Sequence, residues 1–200
     1  MKLTIIGASG HGKVVADIAQ LVGYDEIRFL DDDSSLKTCG AFPVVGTVSE
    51  AANVDGDLFV AIGSATTRKR IMEQLPGRAF PILIHPGGTV ASTASIGDGT
   101  VIMAGAVVSP YAKLGRGCII NTCASVDHDC VVDSFVHVAV GAHLCGTVTV
   151  GTGTWVGAGA TIINNVSVCS ETTIGAGAVV VGSIIRSGTY MGVPAKLARL

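Results

Sequence analysis

Val101-Ile102-Met103-Ala104-Gly105-Ala106-Val107-Val108-Ser109-Pro110-Tyr111-Ala112-Lys113-Leu114 places an aliphatic side chain at every sixth position, at Ile102, Val108 and Leu114. The register continues unbroken in both directions. Upstream it takes in Ile84, Val90 and Ile96. Downstream it runs through Ile120, Val126, Val132, Val138, Leu144, Val150, Val156, Ile162, Val168, Ile174 and Val180, and stops where the next position is Arg186. Ile, Leu and Val make up about a quarter of the chain, so an unbroken series of this length has a chance probability on the order of one in a billion. Neither an α-helix nor a simple strand has a six-residue period. A hexapeptide repeat does, and three hexapeptides make one triangular coil of a β-helix, so that stacked residues differ by 18. Most residues four beyond each aliphatic are small, among them Ala94, Ala106, Ala112, Cys118, Ala124, Cys130, Ala142, Ala160 and Ala178. Small interior residues let three flat sheets close into a narrow prism.

Residues 1–80 follow a different pattern. Lys2 to Ile6 reads as a strand, followed by Gly7-Ala8-Ser9-Gly10-His11-Gly12 and a helical spacing of apolar residues from Lys13 to Leu21. Ile27 to Leu30 reads as a second strand ending in Asp31-Asp32-Asp33. A third strand is expected over Asp57 to Gly63 and a helix over Ala65 to Leu75. Strand, helix, strand, then strand and helix predicts a small parallel α/β domain over 1–80, with a β-helix domain and tail over 81–200. Pro81, Pro86 and Gly87-Gly88 mark the junction.

A near-balanced formal charge of −2 gives no reason to expect nucleic acid or an anionic membrane as partner. No stretch of about 18 consecutive apolar residues suggests a membrane span. The N-terminal apolar run is too short for a signal peptide, so a cytoplasmic protein is expected. Six cysteines form no CxxC pair and no two differ by 18. They read as small packed residues of a reduced protein, with no metal site.

Two constellations carry chemistry. His128 lies two residues past Val126, at a corner of the prism, with Asp129 beside it. A carboxylate on one imidazole nitrogen fixes the tautomer and raises the basicity of the other, which suits a general base. A solvated corner histidine would look the same. Pro110, His128, Gly146 and Asn164 share this corner, and Gly146, one coil beyond, leaves room for a thioester. The second constellation is Gly7-x-x-Gly10-x-Gly12 between strand and helix, which offers backbone amides to a diphosphate. It is not the dinucleotide fingerprint. Asp31 and Asp32 stand where an acid reads a ribose or base. A tight strand–helix turn is the plain alternative, and an NAD-binding regulator is another. A half domain of about 80 residues suits a mononucleotide better.

Taken together, several segments resemble the PglD and NeuD type of bacterial sugar acetyltransferases, within the hexapeptide-repeat acyltransferases. They are Gly7 to Val15, Phe29-Leu30-Asp31-Asp32, Leu83-Ile84-His85-Pro86, Asn121-Thr122 through His128-Asp129-Cys130, and Gly192-Val193-Pro194-Ala195-Lys196. The resemblance spans nearly the whole chain. It implies a left-handed β-helix, a homotrimer and an acetyl-CoA-dependent N-acetyltransferase acting on the 4-amino group of a nucleotide-linked (UDP) 4-amino-4,6-dideoxy sugar, for surface glycans or glycoproteins. By resemblance His128 is the base and Asp129, one methylene shorter than the family's Glu, its support. His137, Ala158 and Ala176 align with acetyl-CoA contacts. Ser9, Gly10, His11, Asp31, Asp32 and Gly63 align with nucleotide-sugar contacts. His137 falls half a coil from His128, so the two are expected to meet only across a threefold interface. Sialic acid O-acetylation is the enzymatic alternative, and a non-catalytic β-helix scaffold is the alternative of another class. His143 reads as a surface residue, His85 as structural and Trp155 as packing. Lys196 and Arg199 read either as CoA-phosphate contacts or as a solvated tail.

Overall fold

The computed structural model describes residues 1–198, so Arg199 lies outside the described residues. The chain divides into two compact units, Met1–Pro86 and the remainder from Gly87.

The first unit runs β1 (Lys2–Ile6), α1 (Gly10–Leu21), β2 (Glu26–Leu30), β3 (Thr38–Cys39), β4 (Phe42–Gly46), a 3-10 turn at Val48–Glu50, β5 (Asp57–Val60) and α2 (Ala65–Glu73). Its sheet has the order β3-β4-β2-β1-β5. β1 pairs in parallel with β2 and β5, and β4 lies parallel to β2. Leu3, Ile5, Phe29, Leu58 and Phe59 are buried in the sheet, with Val15, Ile18 and Ala19 of α1. Helix α1 starts three residues earlier than its apolar spacing suggests, so Gly10 and Gly12 belong to its first turn. The true loop is only Gly7-Ala8-Ser9. Two glycines there have packing reasons. Gly7 sits at φ +106°, and a Cβ on Gly12 would come within 2.2 Å of the Gly7 carbonyl oxygen. The β3–β4 pair was not anticipated in the sequence, and it contains Pro43, a residue that sheets confine to edges and bulges. It is accommodated next to two-residue β3, where Pro43 lies opposite Thr38.

The second unit is a left-handed parallel β-helix of two-residue strands. One sheet stacks Thr89–Val90, Val107–Val108, Ser125–Val126, His143–Leu144, Thr161–Ile162 and Val179–Val180. A second stacks Ser95–Ile96, Lys113–Leu114, Val131–Val132, Thr149–Val150 and Ser167–Val168. The third stacks Val101–Ile102, Ile119–Ile120, His137–Val138, Trp155–Val156 and Thr173–Ile174. Neighbours in each stack are parallel and offset by 18 residues, as in His137 to Trp155 and Ser125 to His143. The sixth-position aliphatics from Ile102 to Val180 point inward and are buried. Interior polar groups are satisfied across coils. Thr100 Oγ1 accepts from Cys118 N and donates to Gly115 O, and Thr154 Oγ1 donates to Cys169 O. Cys118 and Cys130 are buried in the same interior, and each thiol donates to a carbonyl 15 residues on. Cys123 differs, being exposed at φ +56°.

With the six-residue register stopping at Val180, the tail was expected to leave the repeat. Instead Thr189–Met191 continues the third sheet beside Thr173–Ile174, and Lys196–Leu197 folds back against it as an antiparallel edge. No helix among the described residues is long and apolar enough to cross a membrane.

Candidate active site

Each coil turns three corners, and each corner needs one residue with left-handed backbone. At two corners glycine dominates: Gly105, Gly141, Gly159 and Gly177 at one, Gly99, Gly117 and Gly153 at another. At the third corner the same position is taken by Tyr111, Asp129, Thr147 and Asn165, all with φ between 61 and 62° except Asp129 at 58°. No coil from 111 to 165 uses glycine there. Left-handed backbone is unfavourable for a side chain other than Gly, least so for Asp and Asn. This corner therefore spends stability on side chains, and His128 stands on it.

The local geometry orients the His128 imidazole and sets its tautomer. Asp127 Oδ1 accepts from the His128 backbone N–H at 2.8 Å, and Thr147 N–H donates to the His128 carbonyl at 2.9 Å. His128 Nδ1 lies 2.9 Å from Asp129 Oδ2. A carboxylate only accepts, so Nδ1 carries the proton and Nε2 keeps its lone pair. The Asp129 hydrogen bond holds the His128 pKa above the usual histidine range. Both side chains are about half exposed, at 55% and 54%, so Nε2 is open to a reactant. One coil on, a Cβ added to Gly146 would lie 2.5 Å from Nε2 and 2.6 Å from Cε1. The space left by Gly146 is thus occupied by the imidazole itself, not left open for a thioester as the column arithmetic suggested.

His137 lies on the outer side of the third sheet, on a different face from the His128 corner. Asn121 Nδ2 donates to His137 Nε2 at 3.1 Å, while Asn121 Oδ1 accepts from Thr122 N–H at 2.8 Å. The second bond orients the amide, so the neutral His137 ring carries its proton on Nδ1. The Trp155 ring is 6.5 Å away, tilted by 60°, and is 42% exposed. Asn121 was legible only as part of a motif, not for this role. Ala158 and Ala176 occupy one corner column of successive coils, where Gly177 N–H donates to the Ala158 carbonyl. His143 is exposed, with Nδ1 2.8 Å from Ser125 Oγ.

In the first unit a cleft of about 370 Å³ opens at the C-terminal ends of β1, β2 and β5, lined by Gly7, Asp31, Asp32, Ser49, Ile62, Thr67, Arg70 and Gln74. That is where parallel sheets bind ligands. Asp31 and Asp32 both line it, yet they differ. Asp31 accepts from Ala8 N–H at 2.7 Å through Oδ2 and from Asp33 N–H at 3.0 Å through Oδ1, which locks the glycine loop to β2. Asp32 accepts from Val48 N–H through Oδ1. Ser9, Gly10, His11 and Gly63 are not among the lining residues. A Cβ on Gly10 or Gly63 would meet nothing within 4 Å, so packing does not require glycine at either position. His11 Nε2 is buried with no hydrogen-bond partner among the described residues. Burial, and then the Arg68 charge, depress its pKa to about 4. Arg68 is itself buried, donating to the carbonyls of Ile62 and Gly63 at 2.7 and 3.1 Å. Ser49, Thr67, Arg68, Arg70 and Gln74 were missed in the sequence, where Thr67-Arg68-Lys69-Arg70 looks like a solvated helix face.

Residues 2–75 match the PglD N-terminal domain family. GDP-perosamine N-acetyltransferase of Escherichia coli O157:H7 is 30% identical over 163 residues, 76% of this chain and 74% of that protein. UDP-N-acetylbacillosamine N-acetyltransferase of Bacillus subtilis (strain 168) is 36% identical over 110 residues, 51% of each chain. The acetyltransferase domain of PglB from Neisseria gonorrhoeae FA1090, solved in complex with acetyl coenzyme A, is 44% identical with a TM-score of 0.96, covering 98% of each chain.

Proposed function

The chain belongs to the PglD/NeuD-type sugar acetyltransferases of the hexapeptide-repeat superfamily, and from that premise we propose that it acetylates the 4-amino group of a UDP-linked 4-amino-4,6-dideoxy sugar with acetyl-CoA. The observation that carries this is the His128 imidazole, protonated at Nδ1 by its bond to Asp129 and presenting Nε2 at an exposed corner. The attacking nitrogen must be neutral when it meets the thioester and must lose a proton as the N–C bond forms. Nε2 takes that proton; the C–S bond then breaks and the imidazolium returns the proton to the leaving thiolate. No acyl-enzyme is required.

The α/β unit suits the nucleotide. Its cleft lies in the size range of small-ligand sites, and Asp32 and Arg70 bring an acceptor and a cation to it. The buried Nε2 of His11, unpartnered among the described residues, has a hydrogen bond still to make. Ser9, Gly10 and Gly63 complete the proposed nucleotide-sugar contacts. UDP is taken from the relative named for a UDP sugar, 36% identical over 110 residues, beside one named for a GDP sugar, 30% identical over 163 residues. Ala158 and Ala176 are the proposed acetyl-CoA side of the solenoid, with His137, while Gly146 makes room for the His128 ring. Because His137 and His128 belong to different faces of the prism, the working assembly is a homotrimer in which His137 of the partner subunit completes the site. The reaction is placed in the cytoplasm, supplying surface glycans or glycoproteins.

The test is release of free CoA from acetyl-CoA with a panel of UDP- and GDP-linked 4-amino sugars, beside free and CMP-linked sialic acid. Turnover of one UDP-linked amino sugar supports the reading. Turnover of sialic acid alone replaces it with O-acetylation, and binding without turnover replaces it with a scaffold. Full activity in a monomeric variant contradicts the shared site.

A further inference from the structure

Tyr111 is the one large side chain at the His128 corner that neither fold nor proposed chemistry explains. It stands at φ +61°, a conformation that is an outlier for a bulky residue. Thr147, at the same column, answers its strain with hydrogen bonds to the Gly146 carbonyl and to Asn165 Oδ1. Tyr111 has no such compensation: the residue is 62% exposed, and its hydroxyl makes no hydrogen bond among the described residues. Its position is fixed by rungs on both sides. Its own N–H donates to Thr93 Oγ1 at 3.3 Å, and Asp129 N–H donates to the Pro110 carbonyl at 3.1 Å. Pro110-Tyr111 therefore lies directly beside His128-Asp129, one coil away, or about 4.8 Å. Strain retained without a local return is a mark of a functional position.

We infer that Tyr111 is a substrate-binding residue whose ring packs against the apolar C5–C6 edge of the acceptor sugar and selects 6-deoxy over 6-hydroxy acceptors. This rests on the amino-sugar reading above. In that reading the acetyl-CoA contacts Ala158 and Ala176 both lie on coils C-terminal to His128. The acceptor must approach Nε2 from elsewhere, and Tyr111 supplies the neighbouring surface on the N-terminal side. A methyl group meets an aromatic face favourably, whereas a hydroxymethyl there would be stripped of water without a guaranteed partner.

The experiment is steady-state kinetics of the full-length wild type and of Tyr111→Ala, Tyr111→Gly and Tyr111→Phe, with a 6-deoxy amino-sugar nucleotide and its 6-hydroxy counterpart. Melting temperature and molar mass in solution are measured alongside. Tyr111→Ala is expected to raise the KM for the 6-deoxy substrate roughly tenfold or more, the worth of one apolar pocket contact, and to narrow the preference for it. The KM for acetyl-CoA should stay put. Tyr111→Phe should recover the KM lost in Tyr111→Ala. Tyr111→Gly should lose the same binding yet melt higher than Tyr111→Ala, since glycine relieves the left-handed backbone. An active wild type with unchanged sugar KM in the Ala and Gly variants overturns the inference alone. So does a lower melting temperature or molar mass in Tyr111→Gly, which would make the ring structural. A wild type that acetylates no amino sugar overturns it together with the functional reading.

Discussion

Replacing Gly146 with alanine separates two roles that the corner could assign to that glycine. Its backbone does not need glycine, having no left-handed φ, so the substitution is not strained by conformation. Losing a glycine from the unfolded chain adds a few tenths to about 1 kcal/mol of stability. The added Cβ, however, would sit 2.5 Å from His128 Nε2, about 1 Å inside an ordinary contact of roughly 3.5 Å. The ring must move by about that distance, which takes Nδ1 from its 2.9 Å partnership with Asp129 or swings Nε2 off the reactant. A misplacement of about 1 Å at a reacting group costs on the order of a hundredfold in rate. Gly146→Ala is therefore expected to melt at or above the wild-type temperature while kcat falls about a hundredfold, with the KM for acetyl-CoA little changed. Stopped-time CoA release and a thermal melt read both. If kcat stays within about threefold and the KM for acetyl-CoA rises instead, Gly146 serves the cofactor and the argument from the imidazole is refuted.

Three more outcomes follow from the geometry. Asp129→Ala removes the bond that raises the His128 pKa, and a base works only when unprotonated. The acid limb of the kcat/KM profile should move to lower pH while the plateau drops ten- to a hundredfold; an unmoved limb excludes the pair. His11, neutral in the fold with its pKa at about 4, titrates near 6.5 when unfolded. Its contribution is present above pH 6.5 and is lost as pH falls towards 4, about 2 kcal/mol by pH 5. Urea unfolding at pH 7 and 5 should show this slope, flattened in His11→Asn; an equal slope in the variant removes His11 as its source. Asp32→Asn leaves one neutral acceptor at the cleft and should weaken UDP binding about tenfold by calorimetry; unchanged affinity places the nucleotide elsewhere.

The solenoid was readable because its core repeats in sequence: Ile102, Ile120 and Val138 stack by counting alone, and so do His128 and Gly146. Counting gives columns but not rotamers, so it could not show that the imidazole fills the Gly146 gap. The tail strand Thr189–Met191 breaks the count, pairing at an offset of 16 with Thr173–Ile174, and was missed for that reason. In the α/β unit, Asp31 and Asp32 were visible at a strand end. Ser49, Thr67, Arg70 and Gln74 reach the same cleft from a short turn and a polar helix, a convergence that no local pattern encodes. Asn121 set the His137 tautomer through a contact 16 residues away, which spacing alone does not assign.

The central claim is that the Nε2 lone pair of His128 accepts the acceptor's proton. Its most direct test is the rate of acetyl transfer by His128→Ala under saturating acetyl-CoA and amino-sugar nucleotide, with CoA affinity checked by titration. The account predicts a fall in kcat of about a hundredfold to ten-thousandfold with CoA still bound. A variant that binds CoA and turns over at close to the wild-type rate would contradict it and leave the corner without a catalytic role.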